Sequence, residues 1–333
     1  MPPALSSFAS HARTACCVLA WVALPAAAQE KFTFLTNWYA QAEHGGYYQA
    51  LAQGLYKAAN LDVTIRMGGP QVNAVQILAA GQADCIMGSS DPLVLKAREQ
   101  GVPIVNVAAI FQKDPQGLVA HPHVKRLEDI GKRTIMIGTA ARSSYWPWLR
   151  ATYGFSDEQT RPYAFSLQPF MADKELVVQG YVTYDPYAMK QAGAESNFFL
   201  FSDHGWPAYS NTISCSEKTL TERPQVLAAF LKASLEGWKS YMGGADRSAA
   251  NALIKKDNPQ MSDGQMAFAF ATMQERGMVS GGDAAKNGIG TMSPERLKRT
   301  YDFLVTHKLL DPAKVDFARS YDTRFLAGAK VLP

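Results

Sequence analysis

The stretch Asn37-Trp38-Tyr39-Ala40-Gln41-Ala42-Glu43-His44-Gly45-Gly46-Tyr47-Tyr48 organises the reading of this chain. Before it, Phe32-Thr33-Phe34-Leu35 alternates as a strand does. After it, Tyr48, Leu51 and Leu55, with Ala52 beside them, fall on one helical face. An Asn, a Trp, a Glu and a His therefore sit where a strand ends and a helix begins. In open α/β sheets, ligands bind in the crevice at the strands' carboxyl ends. The helix start adds free N–H groups and the positive end of a dipole. Trp and Tyr add flat faces suited to a planar ring.

Outward from this junction the chain alternates between strands and helices. Residues 61–65 alternate as a strand, and residues 73–80 read as a helix that stops at Gly81. Residues 83–87 are a short apolar strand. Gly88-Ser89-Ser90-Asp91-Pro92 then opens a helix, capped by Ser90 or Asp91 with Pro92 at its first position. Residues 104–110 read as a buried strand. This alternation predicts a mostly parallel sheet.

The pattern restarts after Gln116-Gly117, with strands expected at 118–120, 134–137, 163–165, 177–183 and 198–201. A helix containing Tyr145, Trp146 and Leu149 and another starting at Asp185-Pro186 lie between them. From Asn211 the chain changes: one strand at 212–215 is followed by helices near 224–242, 248–255, 262–275 and 293–306. The expected architecture is α/β, with residues 29–117 plus 203–333 as one lobe and 118–202 as a second, smaller one. Two crossings, near 112–117 and 203–209, would make a hinge with a cleft between the lobes.

The first 28 residues read as a secretory signal peptide. Basic groups are confined to His11 and Arg13, an apolar run covers 15–24, and Ala26-Ala27-Ala28 ends it. The run is too short to span a bilayer. The apolar run follows Cys16-Cys17 rather than preceding it, which argues against a lipoprotein. The expected location is the periplasm. Cys85 and Cys215 then remain, both in apolar strand-like runs, and are expected as two buried free thiols. The 333 residues are 47% hydrophobic and 19% charged with a net charge of +4, too mild and dispersed to argue for nucleic acid.

Several residues could face a ligand. Trp38 and His44 lie in a strand-to-helix loop, although a core Trp and a capping His fit the same pattern. Ser89, Ser90, Thr139 and Ser143 could be helix caps or ligand donors, because the same N–H groups serve both roles. Tyr145-Trp146-Pro147-Trp148 is dense in aromatics, and helical spacing cannot aim all three rings at a cleft. Asp185 precedes a proline, and a carboxylate there, kept ionised by the helix dipole, can accept from an exocyclic amine. No Gly-x-Ser-x-Gly, phosphate-cradling loop or metal-binding His pair is present, so neither a metal nor a cofactor is expected.

These residues carry a resemblance. The signal peptide, Asn37-Trp38 with His44-Gly45-Gly46-Tyr47-Tyr48, and Ala79-Ala80-Gly81-Gln82-Ala83-Asp84 resemble the substrate-binding proteins of ABC importers. Within these the chain is most similar to the group that binds thiamine pyrimidine precursors, related to nitrate, taurine and sulfonate binders. Gln179-Gly180-Tyr181-Val182-Thr183-Tyr184-Asp185-Pro186-Tyr187 and Asn287-Gly288-Ile289-Gly290-Thr291-Met292 fit the same group. The resemblance implies a type II periplasmic binding fold and a monomer that closes on a small molecule and hands it to an inner-membrane permease. It implies an aromatic clamp, carried to Trp38 and Tyr181. The acidic residue of the second motif, usually Glu in that group, is Asp185 here. Asn37, His44, Ser89, Ser90, Thr139 and Tyr145 complete the expected ligand-binding set. The same fold includes fungal pyrimidine synthases, which need a Lys and a His just after the third strand and a cysteine-rich segment; this chain has Gly88-Ser89-Ser90-Asp91-Pro92 there. The expectation is a binder, not an enzyme. The alternative ligand is a small anion such as a sulfonate, taurine or nitrate, for which Arg142 could serve.

Overall fold

The computed structural model of the protein describes residues 1, 28–327 and 331–333. The leader expected over 1–28 lies, apart from its two end residues, outside the described residues. Among the described residues, ten strands build two five-stranded sheets. The first takes β1 (Glu30–Leu35), β2 (Leu61–Arg66), β3 (Cys85–Ser90) and β4 (Ile104–Phe111). The chain then lays down all of the second sheet: β5 (Gln116–Ala120), β6 (Ile135–Ile137), β7 (Thr160–Pro162), β8 (Val177–Tyr181) and β9 (Asn197–Leu200). It returns as β10 (Ser210–Ser216) to the first. The orders are β2-β1-β3-β10-β4 and β7-β6-β8-β5-β9.

Burial follows the sequence pattern. β2 lies at an edge and alternates buried with exposed side chains. β4, an unbroken apolar run but for Asn106, is buried along its whole length although it ends the sheet, because single bridges from Asn106 to Tyr321 and from Ala109 to Gly290 cover its outer edge. The helix after β1, Gly45–Ala52, packs on the long helix Pro224–Met242. A Cβ added at Gly45 would lie 2.2 Å from the Tyr241 ring, and one at Gly46 would lie 2.1 Å from the Trp238 ring. The paired glycines therefore let two large aromatic rings close against the helix start. Phe32, Phe34, Tyr47, Phe230 and Trp238 share this core, while Leu118, Ile135, Trp146, Trp148 and Trp206 form the core of the second sheet.

Five expectations change. The sheets are mixed rather than mostly parallel, because β10 runs antiparallel to both β3 and β4, and β5 to both β8 and β9. A strand that re-enters a sheet after the chain has built another is not constrained by the βαβ crossover that makes neighbours parallel. Cys85 and Cys215 are not free thiols: they face each other across β3 and β10, with Cα atoms 4.2 Å apart, and form a disulfide. Gly88-Ser89-Ser90, expected to open the next helix, instead continues β3, where a Cβ at Gly88 would lie 2.5 Å from Thr212 Oγ1 and only a small residue fits. Neither Ser90 nor Asp91 caps the following helix, Pro92–Glu99; Asp91 Oδ1 accepts instead from the Tyr209 backbone N–H at 2.7 Å. Finally, the strand expected at 163–165 falls at Thr160–Pro162, and Phe165 adopts a left-handed φ of 56° that no strand tolerates.

The two segments that pass between the sheets, residues 112–115 and 201–209, are bonded to each other. Trp206 Nε1 donates to Asp114 Oδ2 at 2.8 Å, and Asp114 Oδ1 accepts from the Gln116 N–H at 3.0 Å. Burial pushes the Asp114 carboxyl up to about 6 against these bonds.

Candidate functional site

The carboxyl ends of β1 and β8 meet between the sheets. Asn37, Trp38 and Gln41 come from the loop after β1. Tyr181, Tyr184 and Asp185 come from the end of β8 and the helix Asp185–Gln191. Tyr163 and Phe165 come from the segment after β7. A cavity of about 20 Å³ lies among Trp38, Gln41, Tyr163, Phe165, Gln179, Gly180, Tyr181, Tyr184 and Asp185. Trp38 and Tyr163 face each other across it with ring centroids 6.2 Å apart and planes within 18°. Phe165 meets Trp38 edge-on at 5.8 Å.

The polar groups here are unevenly satisfied. Asp185 Oδ2 accepts from the Tyr181 N–H at 2.7 Å, whereas Oδ1 is buried without a partner. A Cβ at Gly180 would lie 2.9 Å from this carboxyl, so glycine is what admits it beside β8. Burial, with a smaller contribution from the nearby Glu43, pushes the Asp185 carboxyl from its ordinary 3.8 up to about 7. Desolvation thus outweighs a dipole worth at most about 2 kcal/mol, and the carboxyl is only partly ionised near neutral pH rather than held ionised by the dipole. Glu43 is buried too, its carboxyl raised by desolvation although Thr183 Oγ1 donates to Oε1.

A second cavity, of about 420 Å³, is lined by Asn37, Ser89, Thr139, Arg142 and Ser143 together with apolar residues such as Val72, Val75, Met87 and Leu93. Arg142 is half-exposed and donates to Thr160 Oγ1 at 3.1 Å. Direct contacts bridge the two sheets' sides around both cavities. The Thr139 N–H donates to Pro70 O at 2.8 Å, Gln71 Nε2 to Tyr163 O at 3.0 Å, and Asn37 Nδ2 to the Tyr181 hydroxyl at 3.4 Å.

The expected residues thus divide. Trp38, Tyr181 and Asp185 surround the smaller cavity, while Asn37, Ser89 and Thr139 line the larger. His44, Ser90 and Tyr145 line neither. His44 is fully buried behind Asn37, with its Nε2 3.0 Å from Asn37 Oδ1. Burial pushes its imidazole down to about 3, so it is neutral and orients Asn37, whose amide also donates to Asn211 Oδ1. The Tyr145 hydroxyl donates to Gln179 Oε1 at 3.2 Å, so it supports a cavity-lining side chain from behind. Trp146 and Trp148 are core. Gln41, Tyr163, Phe165, Gln179 and Tyr184 were not among the expected site residues. Gln41 lay within the opening stretch, and the aromatic alternation Tyr163-Ala164-Phe165 was a signal read as a strand.

Residues 41–247 match the family described as NMT1/THI5 like. The chain is 25% identical over 309 residues to the riboflavin-binding protein RibY of Chloroflexus aurantiacus, covering 90% of this chain and 87% of that protein. It is 26% identical over 249 residues to the formylaminopyrimidine-binding protein of Halalkalibacterium halodurans, covering 69% and 72%. Its structure superposes on the periplasmic aliphatic sulphonate-binding protein SsuA of Escherichia coli with a TM-score of 0.61 at 14% identity, covering 87% and 91%. The architecture is the periplasmic binding protein fold.

Proposed function

The chain belongs to the NMT1/THI5-like family, and from that premise and the cleft geometry we propose that it is the substrate-binding component of an ABC importer. It works as a periplasmic monomer, captures an aminopyrimidine thiamine precursor or a similar planar heterocycle, and delivers it to an inner-membrane permease. The lobes are 29–117 with 203–333, and 118–202.

One observation carries the ligand class. Two near-parallel rings from different lobes, Trp38 and Tyr163, flank a cavity that also presents a buried carboxyl oxygen without a partner. A planar ring between two aromatic faces needs about 7 Å, twice the ~3.5 Å contact distance. The rings stand at 6.2 Å, so a small parting of the lobes makes room. The partnerless Asp185 Oδ1 then meets an N–H donor on the ring's edge. On this reading the bonds of Thr139, Gln71 and Asn37 bridge the lobes of a shut cleft, and opening it breaks all three.

A second reading rests on the 420 Å³ cavity, where Arg142, Ser89, Thr139 and Ser143 could hold a small anion. Against it, Arg142 is half-exposed and engaged with Thr160, while the sulphonate binder shares only the fold. An enzymatic reading has less support: β3 runs on into Asp91-Pro92, where the related synthases need Lys and His. Mass spectrometry of small molecules released from the purified, denatured protein tests the assignment. A planar aminoheterocycle supports it, and a sulfonate or nitrate overturns it.

A further inference from the structure

Two side chains of the smaller cavity are left incomplete in a way the fold does not explain. Gln41 is only 3% exposed and its Oε1 has no hydrogen-bond partner. It occupies the N-cap position of the short helix Ala42–His44, yet its side chain makes no capping bond. Asp185, also 3% exposed, leaves Oδ1 unpartnered. Of the buried side-chain atoms without a partner among the described residues, Glu43 Oε2 included, only these two belong to residues lining this cavity. A buried acceptor without a donor is costly, so two in one cavity call for a common cause. They come from opposite lobes: Gln41 follows β1, and Asp185 follows β8.

Building on the functional reading above, we propose that Gln41 is a specificity-determining residue, and that its Oε1 and the Asp185 Oδ1 share the two hydrogens of one ligand amino group. The amino group spans the cleft, so the ligand's own donors tie the lobes together. At about 20 Å³ the shut cavity holds no more than about one water, which has the same two hydrogens to offer. The ligand amine replaces that pair of bonds. Once Asp185 is ionised, an oxo group in its place would set three acceptors facing one another, and an anion would do the same. The bridge therefore selects aminoheterocycles over their oxo counterparts and over sulfonates. Gln41 gives this preference a second site, independent of the carboxylate.

The test uses the full chain at about pH 8, where Asp185 is ionised, with 4-amino-5-hydroxymethyl-2-methylpyrimidine and its 4-oxo counterpart as probes in calorimetry. Wild type should prefer the amino probe by about a hundredfold, the penalty of leaving buried polar groups unpaired. Gln41→Met, similar in shape but without the acceptor, should weaken the amino probe about tenfold and leave the oxo probe unmoved. Gln41→Leu serves as a second variant if the first fails to fold. Trp38→Ala should weaken both probes equally. If Gln41→Met weakens both probes alike, or neither, while Trp38→Ala weakens both, the bridge is overturned and the aminoheterocycle reading stands. If wild type binds neither probe, that reading falls and the bridge with it.

Discussion

With the cleft shut, Asp185 titrates at about 7 because desolvation dominates and Glu43 adds to it. A ligand that donates a hydrogen bond to this carboxylate binds the ionised form preferentially and must lower its pKa in the complex. A hydrogen bond to a charged group is worth about 1.5–3 kcal/mol, and one pKa unit corresponds to about 1.4 kcal/mol, so the bound value should fall by roughly one to two units. The sign follows from linkage. Below the bound pKa both states are protonated and affinity is low and flat; between that pKa and about 7 it rises with pH; above 7 it is high and flat. Calorimetry of an aminopyrimidine against wild type should therefore show a ten- to hundredfold gain between about pH 5 and pH 7.5. Asp185→Asn cannot ionise, so it should bind at the weak level and lose most of the slope. A sulfonate should respond in the opposite sense, binding better to Asp185→Asn once the nearby negative charge is gone. A wild-type profile flat from pH 5 to 8 would refute the reasoning, because it requires a carboxyl ionised throughout, as an Asp in open water is.

Trp38 is half-buried, and Trp38→Ala should weaken an aminopyrimidine by about 1–3 kcal/mol by analogy with base–aromatic stacking while lowering the melting temperature little; unchanged affinity with a large drop in melting temperature would return Trp38 to the core. The Cys85–Cys215 bridge closes a loop of 130 residues that contains the whole second sheet, so Cys85→Ala with Cys215→Ala should cost up to about 5 kcal/mol on the loop-entropy relation, read from the denaturant midpoint. Gly46→Ala drives a methyl into the Trp238 ring and should destabilise by about 1–3 kcal/mol in the same assay; a neutral result would mean that the helix Gly45–Ala52 can shift off Pro224–Met242 without loss. Small-angle scattering should show a smaller radius of gyration with saturating ligand, and identical profiles with binding confirmed separately would count against a hinge.

Much of the fold was legible because it is periodic. The helix Pro224–Met242 stands at the bounds its apolar stripe predicts, and β1, β2 and β4 fall where alternation or unbroken apolarity places them. What escaped was long-range. Strand direction for β10 depends on where the chain has been for the preceding hundred residues, and no local pattern records that. The disulfide joins residues 130 apart, so its geometry is invisible until β3 and β10 pair. Gly88-Ser89-Ser90 reads as a helix opening in isolation, and only the Thr212 hydroxyl against Gly88 explains why small residues belong in a fully buried strand.

The site divides along the same line. Trp38 and Asp185 were legible because each sits where a strand gives way to a helix, a local feature with a general tendency to face a crevice. Tyr163 was not, because its partner across the cavity is 125 positions away and only the approach of the segments after β1 and β7 makes them a pair. His44 shows the converse: the motif singles it out, yet its place behind Asn37 makes it a residue that fixes another's orientation. Gln41 was hidden in plain view. A glutamine at a helix start is unremarkable in a sequence, and what distinguishes this one is a buried, unpartnered carbonyl oxygen on a residue that lines the same cavity as the equally unpartnered Asp185 carboxyl. Spacing can propose which residues converge, but unmet hydrogen-bonding capacity decides what they are waiting for, and here that points to a donor shared between the lobes.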